Sequence, residues 1–178
     1  MLHNYTDNGT YTVTLTVTDD DNTTNNVSIQ VIVNNTPPAA NAGPDITAYT
    51  LQNITFNGSN STDIDGNITT YFWNFTDGNS SLEIAYHIYD SAGVYNVTLT
   101  VTDNDGANDD DSTTVTVYLA GDVTHNNVVD VFDLAKFVVA WNKNVGDPKY
   151  NANADFDGDG HIGLVDFLRL VDNWEESC

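Results

Sequence analysis

Residues 87 to 103 read HIYDSAGVYNVTLTVTD. From Tyr95 onward every second residue is apolar (Tyr95, Val97, Leu99, Val101), and the residues between are Asn or Thr. A period of two with one apolar face belongs to a strand that is buried on one side and wet on the other. Turn-forming DNDG follows at 103 to 106, and a second alternating run carries Val115, Val117 and Leu119. The stretch therefore predicts one antiparallel hairpin of a larger sheet.

The same pattern stands 84 residues earlier (87 minus 3), as HNYTDNGTYTVTLTVTD at 3 to 19. His3, Tyr5, Gly9, Tyr11, Val13, Leu15, Val17 and Asp19 recur as His87, Tyr89, Gly93, Tyr95, Val97, Leu99, Val101 and Asp103. The second run of the earlier copy carries Val31 and Val33. Between the copies, TPPAANAGP (36 to 44) interrupts any ladder, because proline has no N–H to give it. Beyond it, ITF (54 to 56) and ITTYFWNF (68 to 75) flank the turn-rich NGSNSTDIDGN. Residues 39 to 119 thus predict a whole antiparallel sandwich of about seven short strands. Residues 1 to 36 predict only the closing part of another. Two strands without a partner sheet are marginal in water, so the chain is expected to be the C-terminal part of a longer protein.

At WNFTDG (73 to 78), taken with the H-x-Y-x-x-x-G-x-Y-x-V-x-L-x-V-x-D run, the chain resembles the polycystic-kidney-disease (PKD) repeat family. Thr76 departs from it, standing where the family usually has glycine. The resemblance covers 39 to 119 fully and 3 to 33 in part. It implies an immunoglobulin-like sandwich of a secreted or cell-surface protein, a spacer or adhesive module without catalysis.

A second repeat has a period of 33 (155 minus 122): Asp122 aligns with Asp155, Val129 with Ile162, Asp133 with Asp166, Lys136 with Arg169, and Trp141 with Trp174. Each unit starts with a twelve-residue acidic stretch, DVTHNNVVDVFD or DFDGDGHIGLVD. A calcium ion takes six to eight oxygens, which such a loop supplies from side chains at positions 1, 3 and 5, a carbonyl at 7, often water at 9, and an acid at 12. In the first loop these are Asp122, Thr124, Asn126, the carbonyl of Val128, Asp130 and Asp133. In the second they are Asp155, Asp157, Asp159, the carbonyl of His161, water beside Gly163, and Asp166. Position 6 must turn sharply and holds Gly160 or Asn127, both tolerant of the left-handed region. The first loop has fewer charged ligands, so weaker binding is expected there. Recurrence of the whole register distinguishes the pair from a merely acidic run.

VFDLAKFVVAW (131 to 141) and LVDFLRLVDNW (164 to 174) place apolar residues at helical spacing, with acids near the start. Neither loop has an entering helix. That absence, with Asp at position 12, makes residues 121 to 174 resemble a dockerin, a small module of two calcium loop-helix units that binds a cohesin domain. The resemblance implies two Ca2+ ions and a cohesin-like protein partner. It places the partner contacts at Val131, Phe132 and Lys136 and at Leu164, Val165 and Arg169; the leading pairs are apolar, where better-known dockerins often have Ser and Thr. Trp141 and Trp174 are expected to close the module's core. The fold class is therefore multidomain: an all-β immunoglobulin-like sandwich plus a small all-α dockerin-like module. Boundaries fall at 1–36, 37–119 and 120–178. The junction VTVYLAGD leaves almost no linker, so Tyr118 or Leu119 should touch the calcium module.

Four Lys and Arg oppose 26 Asp and Glu, and the first 118 residues hold no basic residue at all. Such a surface repels phosphate, which argues against nucleic-acid or membrane-surface partners. No apolar run approaches the ~20 residues of a membrane span, and MLHNYTDNG has no signal-peptide character. The single cysteine, Cys178, gives no disulfide framework. N-x-S/T occurs 12 times before residue 100 and never after, which points to an extracellular or cell-surface glycoprotein. No metalloprotease, nucleophile-elbow or phosphate-loop motif is present, so the chain is expected not to be an enzyme. Tyr71, Trp73 and Phe75 share a strand face that could stack on a surface glycan, although core filling suits Trp73 and Phe75 better. Asn60, Asp63 and Asp65 form a further Asx-rich turn with calcium-like spacing. The expected function is calcium-dependent protein binding on PKD spacers. The alternatives are the accessory tail of a secreted polysaccharide-degrading enzyme, or a structural surface-layer protein.

Overall fold

Seven strands form between residues 46 and 118 of the computed structural model, which describes residues 2–174. Cys178 lies outside the described residues. The first hairpin is β1 (Gly9–Thr18) and β2 (Thr24–Val33). The sandwich comprises β3 (Ile46–Tyr49), β4 (Ile54–Asn57), β5 (Ile68–Asn74), β6 (Asn79–Ser80), β7 (Ile84–His87), β8 (Gly93–Asp103) and β9 (Asn108–Tyr118). One sheet has the order β3-β9-β8-β5-β6, and β4-β7 forms the other.

The alternation in β8 is realised as predicted: Val97, Leu99 and Val101 are fully buried against Phe56, Trp73, Phe75 and Ala85. Trp73 satisfies its indole N–H on the carbonyl of Leu82 at 3.1 Å, so this large ring is buried without an orphan donor. Trp73 and Phe75 are core residues, so neither ring is available to stack on a sugar. The sheet is not wholly antiparallel, since β3 runs parallel to β9, pairing Ile46 with Val115 and Tyr49 with Tyr118. The proline-rich segment carries the chain to that far edge. There, side chains replace ladder bonds: the N–H groups of Ala40 and Ala42 donate to Asp109 and Asp111, and that of Thr114 donates to Asp45.

The first hairpin repeats the register of β8 and β9, with Tyr11 opposite Val31 as Tyr95 is opposite Val115. Even the cross-strand hydroxyl contact recurs, Thr14 to Ser28 at 2.8 Å and Thr98 to Ser112 at 3.2 Å. Burial does not recur: Leu15 is 61% exposed, while its counterpart Leu99 is 0% exposed. Equal sequence with opposite burial marks a hairpin whose covering sheet is not among the described residues.

Residues 120 to 174 form two loop-helix units, with α1 (Val131–Ala140) and α2 (Leu164–Asp172). A single 3-10 turn, Ala152–Ala154, precedes the second loop, so its entry is not wholly irregular. Val123, Val129, Phe137, Ala140, Ala154, Phe156, Ile162 and Leu170 make the core, joined by Tyr49 of the sandwich. The tryptophans do not close it. Trp141 is 42% exposed, lying outside Phe137 and Phe167, and Trp174 is 38% exposed. Three phenylalanines and Tyr49 already fill the space the indoles were expected to occupy. Tyr118 meets the first loop as expected, stacked on His125 with ring centroids 3.8 Å apart.

Thr76 sits at φ 74, in the left-handed region that disfavours a β-branched residue. Relief of that strain, about 1–2 kcal/mol, outweighs the roughly 0.5–1 kcal/mol of extra chain entropy glycine brings. Thr76→Gly should therefore raise stability by about 0.5–1 kcal/mol in urea denaturation; a destabilised variant would show that the turn depends on the threonine.

Candidate metal centres

Each loop is organised by its first and last aspartates. Asp122 and Asp133 are 0% exposed, and Asp155 and Asp166 are 6% and 1% exposed. Carboxylates this deep need partners, and backbone N–H groups supply them. At position 1, Asp122 accepts from the N–H groups of Asn126 (3.0 Å) and Asn127 (2.7 Å), and Asp155 from those of Gly158 and Gly160 (both 2.9 Å). At position 12, Asp133 accepts from Thr124 (2.9 Å) and Asp130 (2.8 Å). Asp166 accepts from Phe156 (2.7 Å), Asp157 (3.3 Å) and Gly163 (2.8 Å). The last aspartate of each loop thus fastens the loop's start to the first turn of its helix. In α1 this is half of a capping box, with Asp130 accepting the N–H of Phe132 at 2.8 Å.

The backbone turns into the left-handed region at the same two positions in both. Position 6 is left-handed as predicted, Asn127 at φ 68 and Gly160 at φ 84. Position 4 is left-handed too, His125 at φ 57 and Gly158 at φ 75, which sequence reasoning missed although Gly158 was a signal for it. The position 7 N–H groups, of Val128 and His161, point at the side chains of Asn126 and Asp159. Tyr150 was also missed: its hydroxyl donates to Asp155 at 2.6 Å.

In the second loop, Asp155, Asp157 and Asp159 bring carboxylate oxygens within 4.8 Å of one another. Burial pushes the Asp157 carboxyl up, opposed by the N–H of Asp159 and reinforced by the charges of Asp166, Asp159 and Asp155. Among the described residues no lysine or arginine pairs with a loop carboxylate. An all-oxygen, uncompensated anionic donor set fits a hard divalent cation. The first loop offers the same frame with Thr124 and Asn126 in place of two of those aspartates.

Of the residues expected to meet a partner, Val131, Phe132, Leu164 and Val165 are exposed, Phe132 at 67% and Leu164 at 64%. Lys136 is exposed as well. Arg169 is turned inward, donating to the carbonyl of Phe156. Beside these pairs an apolar cleft of about 300 Å³ opens between the helices, lined by Phe137, Val138, Trp141, Leu164 and Phe167.

The Asx-rich turn holds something different. Asn60 is exposed, but one oxygen each of Asp63 and Asp65 is buried without a hydrogen-bond partner, as is Oδ1 of Asn35. They gather where the strap that leaves the first hairpin, carrying Asn35, meets the β4–β5 turn of the sandwich. There the amide of Asn35 donates to Asp103 at 2.7 Å and the N–H of Thr36 to Asp65 at 3.0 Å. Native proteins seldom leave three such oxygens unsatisfied in one place.

The family model described as PKD domain matches residues 1–33 and 35–117, and that described as Dockerin type I domain matches 120–173. Collagenase ColA of Clostridium perfringens is 42% identical over 86 residues, 48% of this chain and 8% of that protein. The human Dyslexia-associated protein KIAA0319 is 44% identical over 82 residues, 44% of this chain and 8% of that protein. The crystal structure of the PKD1 domain of Vibrio anguillarum Epp is 32% identical, with a TM-score of 0.43 over 48% of this chain and 99% of that one. The chain therefore spans only about a tenth of the length of the curated relatives it matches, 8% of each of these two.

Asn35 holds the Asp103 carboxyl below the ordinary carboxylate range, against the opposing effect of burial and with help from the N–H groups of Ala107 and Asp105. A depressed folded pKa contributes stability above the ordinary carboxylate value, and that contribution is lost as pH falls through the depressed one. Asn35→Ala should melt below wild type near neutral pH and converge with it as pH falls below the ordinary carboxylate range. A constant gap across that range would sever the link to Asp103.

Proposed function

The chain belongs to the PKD domain family and closes with a dockerin type I domain, and from that premise we propose that it is a calcium-dependent docking module for a cohesin-like protein, displayed on PKD spacers. PKD and dockerin domains are interaction modules without catalytic machinery, typical of extracellular proteins, and dockerin type I domains bind calcium. The observation that carries the proposal is the duplicated frame: two loops 33 residues apart that share the carboxylate-to-backbone bonds from position 6 to position 1 and from positions 3 and 9 to position 12, each followed by an exposed apolar pair.

In this reading two Ca2+ ions are held, one by Asp122, Thr124, Asn126, the Val128 carbonyl, Asp130 and Asp133. The other is held by Asp155, Asp157, Asp159, the His161 carbonyl and Asp166. A bound cation neutralises the crowded carboxylates. The chain's own residues do the rest: Asp133 and Asp166 fix where each helix begins, and so where Val131 and Phe132 and Leu164 and Val165 stand. These four, with Lys136, form the docking surface, whose apolar pairs require apolar counterparts on the partner. Arg169 positions Phe156 instead of reaching outward. Residues 37–119 are the PKD spacer and 120–178 the dockerin. Residues 1–36 carry the closing hairpin of a second such sandwich, supported by its repeated register and uncovered apolar face.

Chelator should abolish most of the helical circular dichroism contributed by α1 and α2 and restore it on adding calcium; helicity unchanged by chelator would end the calcium reading. Asp155→Ala should lower affinity at the second loop by about 100-fold. Calorimetry should count two equivalents; a third that disappears in Asp65→Ala would assign the orphan oxygens of the strap to a cation as well. Against a panel of cohesin domains, Phe132→Ala combined with Val165→Ala should weaken binding by roughly 30-fold. No binding by any member, with both loops saturated, would remove the cohesin partner.

An extracellular setting is part of the proposal, supported by the family assignment and by the 12 sequons. Eleven of their asparagines are exposed and Asn8 alone is half-buried. Intact mass of protein purified from its native source should fall on removal of N-glycans. An unmodified mass would leave the sequons as a by-product of Asn and Thr on outer strand faces.

A further inference from the structure

We infer that the corner of the sandwich from Tyr49 to Gln52 is a shared buttress for both calcium loops, with Tyr49 as the positioning residue that couples them to each other and to the sandwich. The inference rests on the calcium reading of the two loops. It starts from an anomaly of packing: Tyr49 is a β3 residue, yet it is buried in the core of the other module.

Its ring meets Phe156, at position 2 of the second loop, edge-on at 5.2 Å. Its hydroxyl lies 3.3 Å from Nε2 of His125, at position 4 of the first loop. His125 is held on its other side by Tyr118, stacked at 4°. One side chain of the sandwich therefore touches both loops.

The neighbours of Tyr49 extend the contact. The Thr50 hydroxyl is buried and accepts the N–H of Ala120 at 3.0 Å, two residues before Asp122. The N–H of Thr50 donates to the carbonyl of Tyr118 at 2.9 Å. Gln52 braces Tyr49, accepting its N–H at 2.9 Å. The Gln52 amide nitrogen also lies 3.1 Å from where a Cβ on Gly158 would stand, at position 4 of the second loop. The two position 4 residues, equivalent by the internal repeat and both left-handed, thus both meet the sandwich, and in the second loop Phe156 at position 2 meets it as well.

Physically, a module this small holds its loops by few contacts, and removing one that spans both should loosen both. Groups just outside a metal's ligands typically set affinity by 10 to 100-fold through the orientation they impose. Tyr49 stands in that place for two sites at once. It ligates nothing and acts through Phe156 and His125.

The test uses the full chain and calcium alone, followed by calorimetry and by amide exchange of α1 and α2. Tyr49→Ala should lower affinity at both loops by about 10-fold and speed exchange in both helices. His125→Ala, which leaves the sandwich core untouched, should lower affinity chiefly at the first loop. Tyr49→Phe, which keeps the ring against Phe156, should recover the second loop more fully than the first. Should Tyr49→Ala fail to fold, the unequal effects of His125→Ala and Tyr49→Phe on the two loops decide the matter. Wild-type affinity in all three variants, with the sandwich's thermal transition intact, would overturn the buttress while leaving the calcium reading in place. A wild-type chain that takes up no calcium would overturn both.

Discussion

The carboxylates of Asp133 and Asp166 each join the start of a loop to the start of a helix, and the second half of the molecule depends on that joint. Each is buried and accepts backbone N–H groups on both sides, so loop curvature and helix origin are one geometrical fact. Exposed apolar pairs follow immediately, at Val131 and Phe132 and at Leu164 and Val165. Any change in loop shape must therefore move the outer surface. This is the physical route by which a cation could govern docking, since the same carboxylates are acceptors for the frame and donors of charge to the site.

The first half solves its problem with aspartate too. Asp109, Asp111, Asp45 and Asp65 accept N–H groups from irregular chain or neighbouring strand, and Asp103 closes the β8–β9 turn by accepting from Asp105 and Ala107. Much of the net charge of −22 is thus engaged in holding backbone, not idly solvated. The cost is self-repulsion. It is concentrated where orphan oxygens gather at Asn35, Asp63 and Asp65, and where Asp155, Asp157 and Asp159 converge.

Legibility in the sequence followed periodicity. The alternation of β8 and β9 gave strand, face and burial together, because a period of two leaves one choice of inward side. Both loops and both helices were visible through the 33-residue repeat, as was the left-handed turn at Asn127 and Gly160. What escaped was whatever depends on contacts between segments distant in the chain. The parallel pairing of β3 with β9 has no local signature, since Ile46 to Tyr49 reads the same in either direction of pairing. Trp141 and Trp174 looked like core because large aromatics usually are, but three phenylalanines had already filled the space. Tyr150 and Tyr49 act on the loops from positions five residues upstream and in another module. No spacing rule reaches either one.

The two halves are not simply strung together. A sandwich needs its edge strand covered or its polar groups satisfied, and a module of two loops and two short helices needs more apolar cover than it carries. Tyr49, Thr50 and Tyr118 answer both needs at one corner: the edge of β3 is capped by the calcium module, and the calcium module borrows an aromatic ring from β3. That mutual completion explains why the junction has no linker. A flexible connection would leave Tyr49 exposed on one side and Phe156 and His125 uncovered on the other. The short VTVYLAGD passage is therefore a structural requirement of the shared core.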